Sequence, residues 1–282
     1  MKAIALATLK EAVRKKTFAV MTLVSALYLA LWALLLNFFK GSIPADDMSM
    51  GFASVILAQM GLQFSSMILC LLTIMLSSGS IASELETGMV HSIISRPLRR
   101  FEYVLGKFLG LLSLTLAYAA AVYAILMLIG SLFFLNSITS ISATQFFKGL
   151  ALYVLVPAVI LCPTIYGSVS LRAVPNGLLM IFLYILGNIG GMVEMIGRLI
   201  GSDPVESSGI FLSLVSPFHT IFSSAERTLL PSSGIVGEMM SGANGLSGSG
   251  KPASAWMFLY IAVYAVGFLT LAIRKFSRKD IN

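Results

Sequence analysis

Apolar residues in this chain come in long runs instead of alternating with polar ones. The runs lie near Phe18–Phe39, Phe52–Gly79, Tyr103–Leu135, Phe147–Leu171, Gly177–Gly197 and Ala255–Ile273. Each can cross a bilayer, for which a helix needs roughly 20 apolar residues. Only helices and closed barrels satisfy their backbone groups in lipid, and the lack of period-two alternation selects helices. The pattern therefore predicts an all-α polytopic membrane protein with six transmembrane helices. The second and third runs exceed what a bilayer requires, so their inner ends are expected to project into the cytosol.

The segments between the runs differ sharply from one another. From Ser83 to Lys107 the chain becomes a charged island, with Ser83 and Glu86 at capping-box spacing, a glycine at 88, a short apolar stretch Met89–Ser95 and a break at Pro97. This reads as a helix end, a short helix lying across it, and a restart. Residues 198–254 form a long outer segment. Its first part, Gly209–Ser223, is too apolar for a free loop and is broken by Pro217, which suits a re-entrant or interfacial hairpin; Ser232–Lys251 is rich in Gly and Ser. The chain reads as one permease-like membrane domain over 1–282. It divides into an amphipathic elbow (1–17), spans one and two (18–80), a cytoplasmic loop (81–102), spans three to five (103–197), the outer segment (198–254), span six (255–273) and a basic tail (274–282).

Composition agrees with this class: 57% of the 282 residues are apolar and 11% charged, and mean hydropathy is +0.93. Charge then sets orientation. Of the 19 basic residues most fall on one side, in the N-terminal arm (Lys2, Lys10, Arg14, Lys15, Lys16), the 81–107 loop, Arg172 and the C-terminal tail. By the positive-inside bias both termini are cytoplasmic. The +7 net charge is thereby accounted for by topology, and nucleic acid is not an expected partner. The first apolar stretch has full membrane length and no small-residue cleavage site, so it reads as a span and not as a cleaved leader.

Within the spans, polar residues carry the finer information. Ahead of span one, Leu6, Leu9 and Val13 face one side of a helix whose other side is charged, as for a helix lying in the inner interface. In span two Gln59, Gln63, Ser66, Cys70, Thr73 and Ser77 recur at spacings of four and three and so share one stripe, which faces protein or water and not lipid. Two readings stand: helix packing, or a translocation path or self-association seam. In span five Gly187 and Gly191 allow close helix approach, with Asn188 and Glu194 beside them. Glu194 lies four residues before Arg198, either as an ion pair marking the outer end of the span or as a carboxylate that handles substrate or protons. Pro157 and Pro163 are expected to kink or divide span four. Cys70 and Cys162 lie within spans and read as packing residues.

Catalytic chemistry finds no support. His91 and His219 fall on opposite sides of the membrane, no nucleophile or metal motif is present, and Phe101 spoils a phosphate-loop reading of Leu105-Gly106-Lys107. The chain is expected to be no enzyme, to carry no metal and to have no ATPase of its own.

The residues Glu84, Glu86 and Gly88, the run Ser95-Arg96-Pro97-Leu98-Arg99-Arg100 and Leu105-Gly106-Lys107-Phe108-Leu109-Gly110 resemble the first cytoplasmic loop of ABC-2 type permeases of ATP-binding-cassette exporters, and most of all the subgroup containing the NosY permease. Met89 stands where that family usually has Thr. The resemblance implies a permease subunit, pairing as a homodimer or with a close relative, bound to two separate ATPase subunits that hold ATP and Mg. It implies that Met89–Ser95 is the coupling helix. Met89, Val90, Ile93 and Ile94 would supply contact area, while Glu84, Glu86, Arg96, Arg99 and Arg100 would set register through charge pairs. Spans two and five would face the dimer centre, with Gln59, Gln63, Ser66, Thr73, Asn188 and Glu194 near the seam or path. The implied setting is a bacterial or archaeal plasma membrane, and the implied cargo an amphipathic or lipid-like compound or a peptide. A permease for metal-cofactor maturation, and a secondary transporter or channel without an ATPase, are the alternatives.

Overall fold

The computed structural model describes residues 2–42, 47–88, 100–133, 142–229 and 255–278, and among them every regular element is a helix. The helices are α1 (Lys2–Arg14), α2 (Lys16–Ser42), α3 (Asp47–Ser78), α4 (Ala82–Glu86), α5 (Arg100–Phe133), α6 (Ala143–Ser170), α7 (Ala173–Ile200), α8 (Asp203–Val215), α9 (Phe218–Leu229) and α10 (Ala255–Arg278). Six of them, α2, α3, α5, α6, α7 and α10, are long and apolar enough to cross a membrane. They are the six that the apolar runs predict.

Lipid tails are as apolar as leucine, so membrane helices associate through close van der Waals contact and interhelical hydrogen bonds. Both operate here. Tyr28 of α2 donates its hydroxyl to the Gly61 carbonyl of α3 at 2.6 Å, and the Trp32 ring fills the space where a Gly61 Cβ would stand. The hydroxyls of Ser65 and Tyr153 join α3 to α6 at 2.8 Å, and Tyr118 of α5 donates to Ser25 of α2. Helix α6 is the hub, packed against α3, α5, α9 and α10. It runs as one helix through Pro157 and Pro163, so the prolines do not divide it as the sequence allowed.

The two largest of three apolar clusters lie toward opposite ends of the bundle. One, around Tyr123, Tyr153, Ile221 and Phe222, joins α3, α5, α6, α7 and α9. The other, around Leu72, Ile81, Tyr103, Leu161, Ile165 and Phe276, joins α3 to α6 and α10 at the opposite end. Cys70 and Cys162 are buried free thiols.

Helix α8 doubles back along α7, and α9 returns along α6 until Leu229 rests on Gly149, near the start of α6. The hairpin turns at Ser216–Pro217, where the sequence places its break. Glycines make the packing possible. A Cβ at Gly190 would stand 2.8 Å from the Ser213 amide nitrogen and one at Gly187 2.6 Å from the Phe218 ring, while Gly197 meets the Glu206 backbone and Gly209 that of Glu194. The small residues of span five are thus occupied within the chain. Residues 232–251 lie outside the described residues.

Helix α1 packs on the chain through its small residues. It crosses α5 on a face of small residues, with Thr8 and Ala12 buried and the Ala5 carbonyl 2.6 Å from where a Gly110 Cβ would be. Leu6 and Val13, on the apolar side that the sequence assigns to the membrane interface, are left uncovered by the chain. Close backbone approach at glycine decides the contact, and bulky side chains would hold the helices apart.

Candidate functional site

At one end of the bundle α1, α4, the start of α5 and the end of α10 converge. Tyr103 and Lys107 stand one turn apart on α5 and therefore share a face. Glu84 of α4 reaches both: the Tyr103 hydroxyl and the Lys107 ammonium each donate to its carboxylate. Lys107 also lies 3.5 Å from Glu11 of α1, and Glu11 pairs with Lys15 at 2.9 Å. A buried ammonium is tolerable only when paired, and here two helices supply the carboxylates. Burial opposes ionisation of Glu11, but the Lys15 and Lys107 ammonium groups outweigh it and hold its carboxyl below the usual carboxylate range. The Phe276 ring stacks on Tyr103 with centroids 5.3 Å apart, and Arg100 donates to the Ser277 carbonyl at 3.0 Å. The N-terminal helix and the end of α10 therefore meet at the same pole, with the loop that follows α4.

Helix α4 ends at Gly88, whose φ of 70° is the left-handed conformation that glycine adopts freely. Its start corrects the sequence reading. The expected capping box at Ser83 and Glu86 does not form: Ser83 donates its hydroxyl to the Gly79 carbonyl, and Glu86 is exposed. Ile81 and Ala82 instead donate their amides to Ser168 of α6, each at 3.0 Å. The proposed coupling helix, with Met89, Val90, Ile93, Ile94, Arg96 and Arg99, lies outside the described residues.

The polar stripe of span two divides in two. Gln59 and Gln63 are half-buried, and Gln63 donates to the Asn188 amide oxygen of α7 at 3.5 Å. Ser66, Cys70, Thr73 and Ser77 are buried inside the chain, and the three hydroxyls donate to backbone carbonyls of α3 itself. Ser66 and Thr73 therefore belong to internal packing in this chain. Glu194 is half-buried on α7; the Arg198 side chain lies outside what is described.

Among the described residues no three His, Cys, Asp or Glu side chains come together to hold a metal ion. Cavities of about 30 and 20 Å³ lie beside Trp32 and beside Tyr184. Each has room for about one or two water molecules.

Six apolar helices gathered on a hub, with a buried ion pair at one pole, define a multi-pass transmembrane protein. The chain belongs to the ABC-2 family transporter proteins, whose family model matches residues 2–281. It is accordingly a transmembrane component of an ABC transporter, of a family that is generally non-catalytic and typically works with an ABC ATPase. No curated protein matches it.

Proposed function

We propose that the chain is the permease subunit of an ATP-driven exporter in a bacterial or archaeal plasma membrane. Two copies pair with two separate ATPase subunits, on which ATP and Mg bind. The observation that carries this reading is the ion-paired collar of Glu11, Lys107 and Glu84. It binds the N-terminal helix to α4 and α5, which flank the charged loop, so that a push on residues 89–99 reaches three helices together. Glu84 acts from the inside, as the anchor of that loop. Glu86, Arg96, Arg99 and Arg100 set register on the ATPase, and Met89, Val90, Ile93 and Ile94 supply its apolar contact.

Both chain ends meet the basic residues at one pole, which supports a cytoplasmic pole. Exposed Leu6 and Val13 suit α1 to the inner interface, and the apolar α8–α9 hairpin suits re-entry from the outer side. The second copy is placed against α3 and α7. Met60, Phe64 and Met67 of α3 and Phe182, Ile185 and Ile189 of α7 are exposed at helical spacing, and the Gln63–Asn188 amides stand between the two stripes. Amides in lipid are costly, which favours a protein seam there. An amphipathic or lipid-like compound or a peptide suits such a weakly polar seam. The NosY-like loop motif supports a second reading, export for metal-cofactor maturation.

The test is purification from the native host of wild type beside an Ile93→Asp, Arg96→Glu variant. An ATPase that copurifies with wild type alone is the expected result; a stable wild-type complex without one overturns the reading.

A further inference from the structure

Between α3 and α4 the helix breaks, and the manner of the break is unusual. In a continuous helix the amide of Ile81 would bond the Ser77 carbonyl and that of Ala82 the Ser78 carbonyl. Neither bond is made. The Ser77 carbonyl accepts from the amide and hydroxyl of Ser80, and the regular pattern resumes with Ser83 bonded to Gly79. Of the groups released, both amides donate to the hydroxyl oxygen of Ser168 on α6. The Ser78 carbonyl accepts from the side-chain amide of Asn176 on α7 at 3.0 Å, and the same amide donates to the Thr164 carbonyl of α6 at 3.0 Å. Every one of these side chains is buried, Ser168 and Asn176 completely.

A helix that stops under its own sequence signals is capped by its own residues. This one is held open by two foreign side chains. Asn176 has room only because residue 167 is glycine: a Cβ there would collide with its amide oxygen, which has no hydrogen-bond partner. The clamp therefore works through its donors alone and lets go if either carbonyl moves.

We infer that this break is the pivot of the transport cycle, with Ser168 and Asn176 as positioning residues. The cytoplasmic segment that begins at α4 swings with α6, while α7 holds the end of α3, and motion of the charged loop is delivered to spans four and five. Continuous helix would have sent it straight up α3. The inference rests on the coupling role proposed for residues 89–99.

The test uses the complex purified with its ATPase, carrying a nitroxide at Leu178→Cys, an exposed site on α7 close to Asn176. The distance between the two copies of the label is measured by double electron–electron resonance without nucleotide and after trapping with ATP, Mg²⁺ and vanadate. Wild type is expected to shift on trapping. Ser168→Ala and, separately, Gly167→Ala, which evicts Asn176 without altering it, are expected to keep the ATPase bound and to lose the shift, and Ser168→Thr to restore it. Thermal unfolding of each complex confirms that the variants are folded; should Gly167→Ala not fold, Ser168→Ala with its threonine rescue decides alone. A full shift in Ser168→Ala, or no shift in a wild-type complex that contains the ATPase, overturns the pivot and leaves the partner assignment standing. Absence of any ATPase from the wild-type complex overturns both.

Discussion

Lys107 and Glu84 form an ion pair inside the protein, with the lysine side chain 4% exposed and the carboxylate 12%. Lysine at this point of an apolar run is expensive, and its expense is offset only while both helices that pair with it stay docked. The pair thus makes the folding of α4 and that of α5 mutually dependent.

Lys107→Met leaves the Glu84 carboxylate buried without its cation. Loss of one partner of a buried pair destabilises by about 3 kcal/mol or more. Unfolding in detergent is the measurement, and adding Glu84→Gln to the same chain is expected to recover over half of the loss. No recovery would mean that packing of the lysine stem, and not its charge, is what matters.

Glu11 predicts a pH dependence with a definite sign. Its carboxyl is held below the ordinary range, so its contribution is complete at pH values above that range and fades as pH falls through the lowered value. The carboxylate is 44% exposed, and solvent screening limits the effect to under about 1 kcal/mol. A nitroxide at Leu6→Cys is expected to gain mobility on acidification in wild type and to show no such titration in Glu11→Gln.

Gly110→Val forces α1 off α5, because its Cβ would enter contact range of the Ala5 carbonyl and the Thr8 side chain. Overpacking of this kind costs about 1–3 kcal/mol. Amide hydrogen exchange over residues 2–14 is expected to accelerate while α6 stays protected. Unchanged exchange in α1 would contradict the crossing at Gly110.

The proposed seam is open to disulfide mapping, since the native thiols Cys70 and Cys162 are buried and will not compete. Met60→Cys and Ile189→Cys are each expected to link two copies under mild oxidation in membranes. Linking confined to exposed sites on α2 or α10, such as Leu31→Cys or Val263→Cys, would move the seam there.

The transmembrane frame was legible because run length alone decides whether a helix spans, and the six runs carry that information locally. Gly88 and Pro217 were legible for the same reason: a left-handed residue and a helix break are written where they occur. The cap of α4 was not. Ser83 and Glu86 have the right spacing, but the groups that cap the helix lie 87 positions away at Ser168, and the carbonyl before it is held from 98 positions away by Asn176. The stripe on α3 shows the complementary failure. Periodicity gives the phase of Gln63 and Thr73 on one helix face, yet it says nothing of which neighbour covers each turn, and the two ended in different surroundings. Lys107 carries a signal of its own in the sequence, as an ammonium within an apolar run with glycines at 106 and 110 beside it.

The α7–α8 contact is backbone against backbone, at Gly190, Gly197 and Gly209. Where a glycine faces the neighbouring backbone no rotamer change can widen or narrow the gap, so at these three positions the spacing of α7 and α8 is fixed by the main chain. The expected consequence is that α7 and α8 tilt together whenever either one moves.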